Sequence, residues 1–126
     1  MRRMKWVAQV RNVTRGTELA SAAGVAFGPW KRLRGLIGRR SLARGAGLIL
    51  HHAPWIHTAG MSFPVDVVFC TRAGYVLRTV EHLAPWRISP FCWRAYATLE
   101  VPAGAVRATD TRPGDLIQIQ LGRPPA

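Results

Sequence analysis

Acidic residues are scarce in this chain of 126: six Asp and Glu stand against eighteen Lys and Arg, for a formal net charge of +12 and a pI near 11.7. The resulting field favours polyanionic partners, whether nucleic acid, acidic protein or anionic lipid, but it says nothing about fold. Cysteine is nearly lacking as well. Cys70 and Cys92 stand alone, with no CxxC pair and nothing like the density of a secreted disulfide scaffold, so both are expected as reduced, buried thiols. No apolar run approaches the ~18 residues of a membrane-spanning helix. The basic start MRRMKW is followed by only VAQV before Arg11 interrupts, short of the about 7–15 apolar residues of a secretory signal. A cytoplasmic protein is expected. Lysine is limited to Lys5 and Lys31, the other sixteen basic residues being arginine, a skew that a biased codon pool also produces.

What is present is apolar: 48% hydrophobic residues, including five Trp, four Phe and two Tyr. That is ample surface to offset the entropy of ordering, which excludes disorder as a description of the whole chain. A single domain over residues 1–121 is expected, with 122–126 (Gly-Arg-Pro-Pro-Ala) as a tail. At this length roughly two-thirds of the unfolded surface is buried, so neither disulfide nor structural metal is required. The charge is unevenly placed. Residues 1–44 hold eleven basic residues and one acid, net +10, whereas residues 45–126 hold seven and five, net +2.

Alternation over residues 5–13, the turn Thr14-Arg15-Gly16 and a resumption at Thr17–Ala20 predict an opening hairpin, with Val25–Phe27 as a further short extended piece. Between Pro29 and Arg40 the period changes. Trp30, Leu33, Leu36 and Ile37 share one side and Lys31, Arg32, Arg34 and Arg39 the other, predicting a short helix. Strands are then expected at 47–51, 55–58, 65–70, 75–83, 96–101 and 116–120, with a hairpin across Gly74 and a helical turn at 103–108. The sum is a mainly β (α+β) fold, a small barrel-like or folded antiparallel sheet with one or two short helices.

Because acids are rare, Asp66 and Glu100 draw attention. Each sits inside an apolar strand, where a carboxylate either faces a cleft or is buried with a partner, and arginine is plentiful. Just before Asp66, the segment His57-Thr-Ala-Gly-Met-Ser-Phe-Pro64 places an imidazole, a hydroxyl and a thioether at a backbone bend. A β-bulge accounts for that segment equally well. A zinc set of His57, Cys70, His82 and Cys92 lacks the short local spacing of metal sites, so neither metal nor cofactor is expected. Neither thiol has an activating neighbour in sequence, and no phosphate loop, GxGxxG, GxSxG or HExxH occurs.

Arg32-Leu-Arg-Gly-Leu-Ile-Gly-Arg39, Gly47–Leu50, Ile56–Met61, Phe63–Phe69, Gly74, Leu99-Glu100, Ala103-Gly104 and Pro113-Gly114-Asp115 occur in this order. The combination resembles the domain of unknown function 192 family over about residues 5–120. The resemblance implies a small, mostly prokaryotic, β-rich domain with a short helix and no established function. It implies a structural signature of Arg32, Gly35, Leu36 and Arg39 in the helix, Pro64 and Asp66 in a central element, and Gly104, Glu100 and Asp115 later. Many relatives carry Trp-Met-Lys-Asn-Thr before the proline and an export signal. This chain has Ile56–Met61 instead, and no export signal is expected for it.

Three functions follow as expectations. The first is a non-enzymatic binding or accessory domain whose polar groove is lined by Arg39, His57, Thr58, Met61, Asp66 and Glu100. The second is polyanion or nucleic-acid binding through the basic first third, with Trp6 or Trp30 stacking, although no motif of a known nucleic-acid fold is present. The third is a small hydrolase-like enzyme using His57 with Asp66 or Glu100 as an acid–base pair. Arg32 and Arg39 are the expected internal partners of the acids.

Overall fold

A computed structural model describes residues 7–26 and 41–122. Among the described residues seven strands form one sheet: β1 (Val7–Asn12), β2 (Thr17–Ala26), β3 (Ala46–His51), β4 (Val65–Cys70), β5 (Val76–Leu83), β6 (Ala97–Pro102) and β7 (Ile117–Gly122), with one four-residue helix, α1 (Ala105–Ala108). Their spatial order is β5-β4-β6-β3-β2-β1-β7. The mainly β reading with a short helix therefore holds. All neighbours are antiparallel except β2 and β3, which pair in parallel. A parallel pair cannot be joined by a tight turn, and the nineteen residues between Ala26 and Ala46 supply the length. The helix expected over Pro29–Arg40 falls outside the described residues.

The sheet curls until its two edges touch. Tyr75 and Leu116 form a bridge, flanked by Val76 N–H donating to the Asp115 carbonyl and Ile117 N–H to the Gly74 carbonyl, both at 2.8 Å. Gly74 makes this approach possible, since its φ is +100° and a Cβ there would lie 2.4 Å from the Ile117 carbonyl oxygen. Inside the curl, side chains from all seven strands and Val106 of α1 form one core, with Val10, Leu19, Val25, Ile49, Val68, Leu99 and Ile117 among them. On the other face Leu48, Leu50, Val65, Val67, Phe69 and Leu83 pack with Ile56, Met61 and Ala95 from the loops. Two buried layers on a single sheet explain why β4 is buried at every position: it is covered on both faces.

Three local expectations change. Residues 55–58 are loop, with one isolated bridge, His57–Ile88, in place of a strand. Residues 25 and 26 are the end of the long β2 rather than a separate piece. Gly122, placed in the tail by sequence, is the last residue of β7 and pairs with Val7.

Candidate functional site

The strand pattern of β4 puts Asp66 on the inner face with Val68 and Cys70. Its carboxylate is fully buried, and its hydrogen bonds from the described residues all come from backbone N–H groups. Oδ1 accepts from His82 N–H at 2.8 Å, and Oδ2 from Gly104 N–H at 3.0 Å and Val106 N–H at 2.9 Å. Asp66 thereby ties β5 to the start of α1, where Gly104 adopts φ +97° and no side chain of its own turn caps the helix. His82 Nδ1 lies 3.9 Å from Oδ1.

Glu100 points the opposite way. It is in register with Leu48 on β3 and Val67 on β4, both members of the outer cluster. Burial there pushes its carboxyl up to about 7, and it makes no hydrogen bond or ion pair with a described residue. The two acids therefore lie on opposite faces of the sheet, and the expected common groove with His57 does not form.

The remaining groove residues have other tasks. Thr58 is fully buried. Its hydroxyl donates to the Ala84 carbonyl at 2.6 Å and accepts from Arg87 N–H at 2.8 Å, pinning loop 84–87 against loop 57–61. Met61 fills the outer core. His57 is half-buried, its Nδ1 accepting from Ala59 N–H at 3.3 Å, and it bonds to neither carboxylate. Arg39, Arg32, Gly35 and Leu36 lie outside the described residues, and Pro64 is exposed just before β4.

Among the described residues the arginine side chain that meets Asp115 is Arg15. Two guanidinium contacts at 3.0 and 3.1 Å, Asn12 Nδ2 at 3.0 Å and Arg112 N–H at 2.9 Å converge on its carboxylate. Burial works to raise this carboxyl, but the hydrogen bonds from Arg15, Asn12 and Arg112 outweigh it and hold the group below its ordinary range. Asn12 is itself fully buried and also reaches Thr111, so the cluster latches the β1–β2 turn to the approach of β7, where the edges of the sheet meet. Both cysteines are free. Burial pushes the Cys70 thiol up to about 12 and raises Cys92 as well, so neither is a nucleophile at neutral pH. Among the described residues no three His, Cys, Asp or Glu side chains could hold a metal ion, and no helix is long and apolar enough to cross a membrane.

The surface that stands out lies in two loops, residues 52–59 and 84–96. They run side by side, joined by Ser89 N–H to the Ile56 carbonyl at 2.8 Å, Ile56 N–H to the Ser89 hydroxyl at 2.9 Å, and Cys92 N–H to the Pro54 carbonyl at 2.7 Å. On this frame Trp86 is 71% and Trp93 73% exposed, with Trp55, Ile88 and Phe91 exposed beside them. Trp86 is held at φ +61°, a backbone state rare for a bulky side chain. Trp55, His57, Trp86, Arg87 and Ile88 line an open pocket of about 430 Å³. The Arg94 guanidinium lies 5.1 Å from the Trp93 ring centre. Neither loop contains an acid. The sequence signal was the Trp-Arg pairing at 86–87 and 93–94, which periodicity cannot tell from core aromatics.

The curled sheet with a two-layer core is that of a small β domain whose family is shown by sequence. The DUF192 family model (Uncharacterized ACR) matches residues 10–119, and the chain belongs to this family. No curated protein matches the chain. Two solved structures share the fold. A "putative transcription regulator" from Sinorhizobium meliloti 1021 is 22% identical with a TM-score of 0.79, covering 91% of this chain and 93% of its own. A protein of unknown function from Novosphingobium aromaticivorans DSM 12444 is 19% identical with a TM-score of 0.76, covering 89% and 83%.

Proposed function

We propose that this chain is a non-enzymatic binding domain that takes up single-stranded nucleic acid along loops 52–59 and 84–96. The observation that carries this reading is the set of exposed rings, Trp55, Trp86, Phe91 and Trp93, interleaved with Arg87 and Arg94 on loops that contain no acid. Exposed aromatic clusters of this size on a soluble fold mark interaction sites. Rings on which bases stack, set among cations that meet the phosphates, are the shared chemistry of single-strand binders. The backbone and side-chain bonds of Thr58 and Ser89 fix both loops beforehand, which lowers the ordering cost of binding. The reading moves the polyanion contact from the basic first third to these loops, while the +10 of residues 1–44 supplies a long-range attractive field. The Sinorhizobium protein's description as a transcription regulator is compatible with this, but the likeness between the two is one of fold. An acid–base mechanism finds little support, because both oxygens of Asp66 are occupied by backbone and Glu100 faces away from it.

Titration of a thymidine oligonucleotide, followed by tryptophan fluorescence, tests the reading. Saturable quenching is expected, with affinity falling steeply between about 50 and 200 mM salt as phosphates are neutralised. An unchanged spectrum at the lower salt concentration would sink it.

A further inference from the structure

At the strand-side ends of the two loops, away from Trp86 and Trp93 in sequence, a cluster of rings and one cation gathers where the ends of β3, β4 and β6 meet. These strands are neighbours in the sheet, so His51 at the end of β3, Tyr96 before β6 and Arg72 after β4 come to one edge. The backbone locks them together: His52 N–H donates to the Tyr96 carbonyl and Tyr96 N–H to the Cys70 carbonyl, both at 2.8 Å. The His51 and His52 rings lie 4.0 Å apart, each is 4.7 Å edge-on from Tyr96, and the Arg72 guanidinium sits 5.4 Å from the Tyr96 ring centre. Tyr96 and Arg72, with Thr71 and Gly74, also line a cavity of about 240 Å³.

One feature of this cluster is costly for a purely structural role, and a second leaves a charge available. His52 is exposed yet held at φ +55°, a state that costs an imidazole-bearing residue on the order of 1 kcal/mol and that persists only where the surroundings impose it. Arg72 makes no salt bridge with any acid among the described residues, and its exposed charge lies over the Tyr96 ring and within electrostatic reach of the His51 imidazole. Burial lowers the His51 imidazole, and the neighbouring His52 and Arg72 lower it further, as expected in a locally positive field.

We infer that His52, Arg72 and Tyr96, backed by His51, form a receptor for one phosphate group. A guanidinium presents paired donors to phosphate oxygens, while imidazole and phenol add single ones. The phosphate can belong to a small phosphorylated ligand or to a nucleic-acid backbone, and the site stands whether or not the Trp86 loops bind nucleic acid.

Inorganic phosphate, titrated into the full chain at constant ionic strength and followed by the ring signals of all four histidines, tests this. Saturable shifts are expected at His51 and His52, with His57 and His82 still. Arg72→Gln should weaken the response about tenfold without lowering thermal stability, since it removes a charge-assisted contact from an exposed side chain. His52→Gly should relieve the backbone strain, keep or raise stability, and abolish the response. Shifts that are equal at all four histidines, or that survive both substitutions, overturn the receptor. An oligonucleotide arm separates the sources. If the oligonucleotide binds and Arg72→Gln and Trp86→Ala each weaken it, the phosphate is that of the backbone. Phosphate binding without oligonucleotide binding leaves the receptor standing for a small ligand and removes the nucleic-acid reading alone.

Discussion

Asp66 and Trp86 mark two regions built on opposite terms. Around Asp66 each polar atom meets a partner: a scarce acid is fully buried and three backbone N–H groups close on it. Around Trp86 large rings are left in water, beside arginines and away from any acid in either loop. Low acid content thus has two consequences in one molecule. Asp66 and Asp115 are held inside as structural anchors, and the loops that lack acids remain open to an anionic partner.

The sharpest way to break that contrast is at Asp66. Asp66→Ala leaves three buried or half-buried N–H groups without an acceptor and should cost ~3–5 kcal/mol in chemical denaturation. Asp66→Asn, which keeps one acceptor oxygen, should cost less. A loss under about 1 kcal/mol for the alanine variant would remove Asp66 from the anchoring role.

Glu100 is the exception among the buried acids, and its effect has the opposite sign. Its carboxyl rises from 4.5 in the unfolded chain to about 7 in the fold, so the folded state holds the proton more tightly between those values. Stability therefore falls as pH rises through that window, by at most ~3 kcal/mol, and levels off above it. Glu100→Gln should remove the slope and be more stable than the parent at pH 8. Denaturation at pH 4 and pH 8 reads this directly, and an unchanged slope would show that Glu100 is not the titrating group.

Asp115 supplies the reverse case. Its carboxyl is held below 3.8 by Arg15, Asn12 and Arg112, so the stability it contributes is present above that value and is lost as pH falls through the folded-state pKa. Asp115→Asn should flatten the acid limb of the stability profile and lower stability at pH 7 by less than Asp66→Ala, because Arg15 is partly solvated. An acid limb identical to the parent's would place the acid sensitivity elsewhere.

These effects also mark how far the sequence could be read. Most of the strands were legible because alternation and turn residues such as Gly74 are local signals, though β2 read as two pieces and residues 55–58 as a strand, and the sequence left open whether Asp66 and Glu100 face a cleft or are buried. Their orientation was partly legible too: strand alternation correctly grouped Asp66 with Val68 and Cys70. What no local pattern carries is register. Only the pairing of Glu100 with Val67 and Leu48 sends it to the outer face, away from Asp66. Likewise Thr58 reads as a groove hydroxyl until loop 84–87 folds over it. Arg15 meets Asp115 because the closing edge brings residues a hundred positions apart together.

The smallest expected effect on stability is the most informative about function. Trp86 is largely solvated, so Trp86→Ala removes little buried area and should change stability by no more than about 0.5 kcal/mol, the range of surface substitutions. The same change, or Trp93→Ala, should weaken oligonucleotide binding by ~1–3 kcal/mol if one base stacks on each ring. Were these tryptophans instead parts of the fold, the two measurements would move together. A variant as stable as the parent that binds oligonucleotide equally well would take the ring out of the binding face, and equal retention by Trp55→Ala and Trp93→Ala would take the loops out of it altogether.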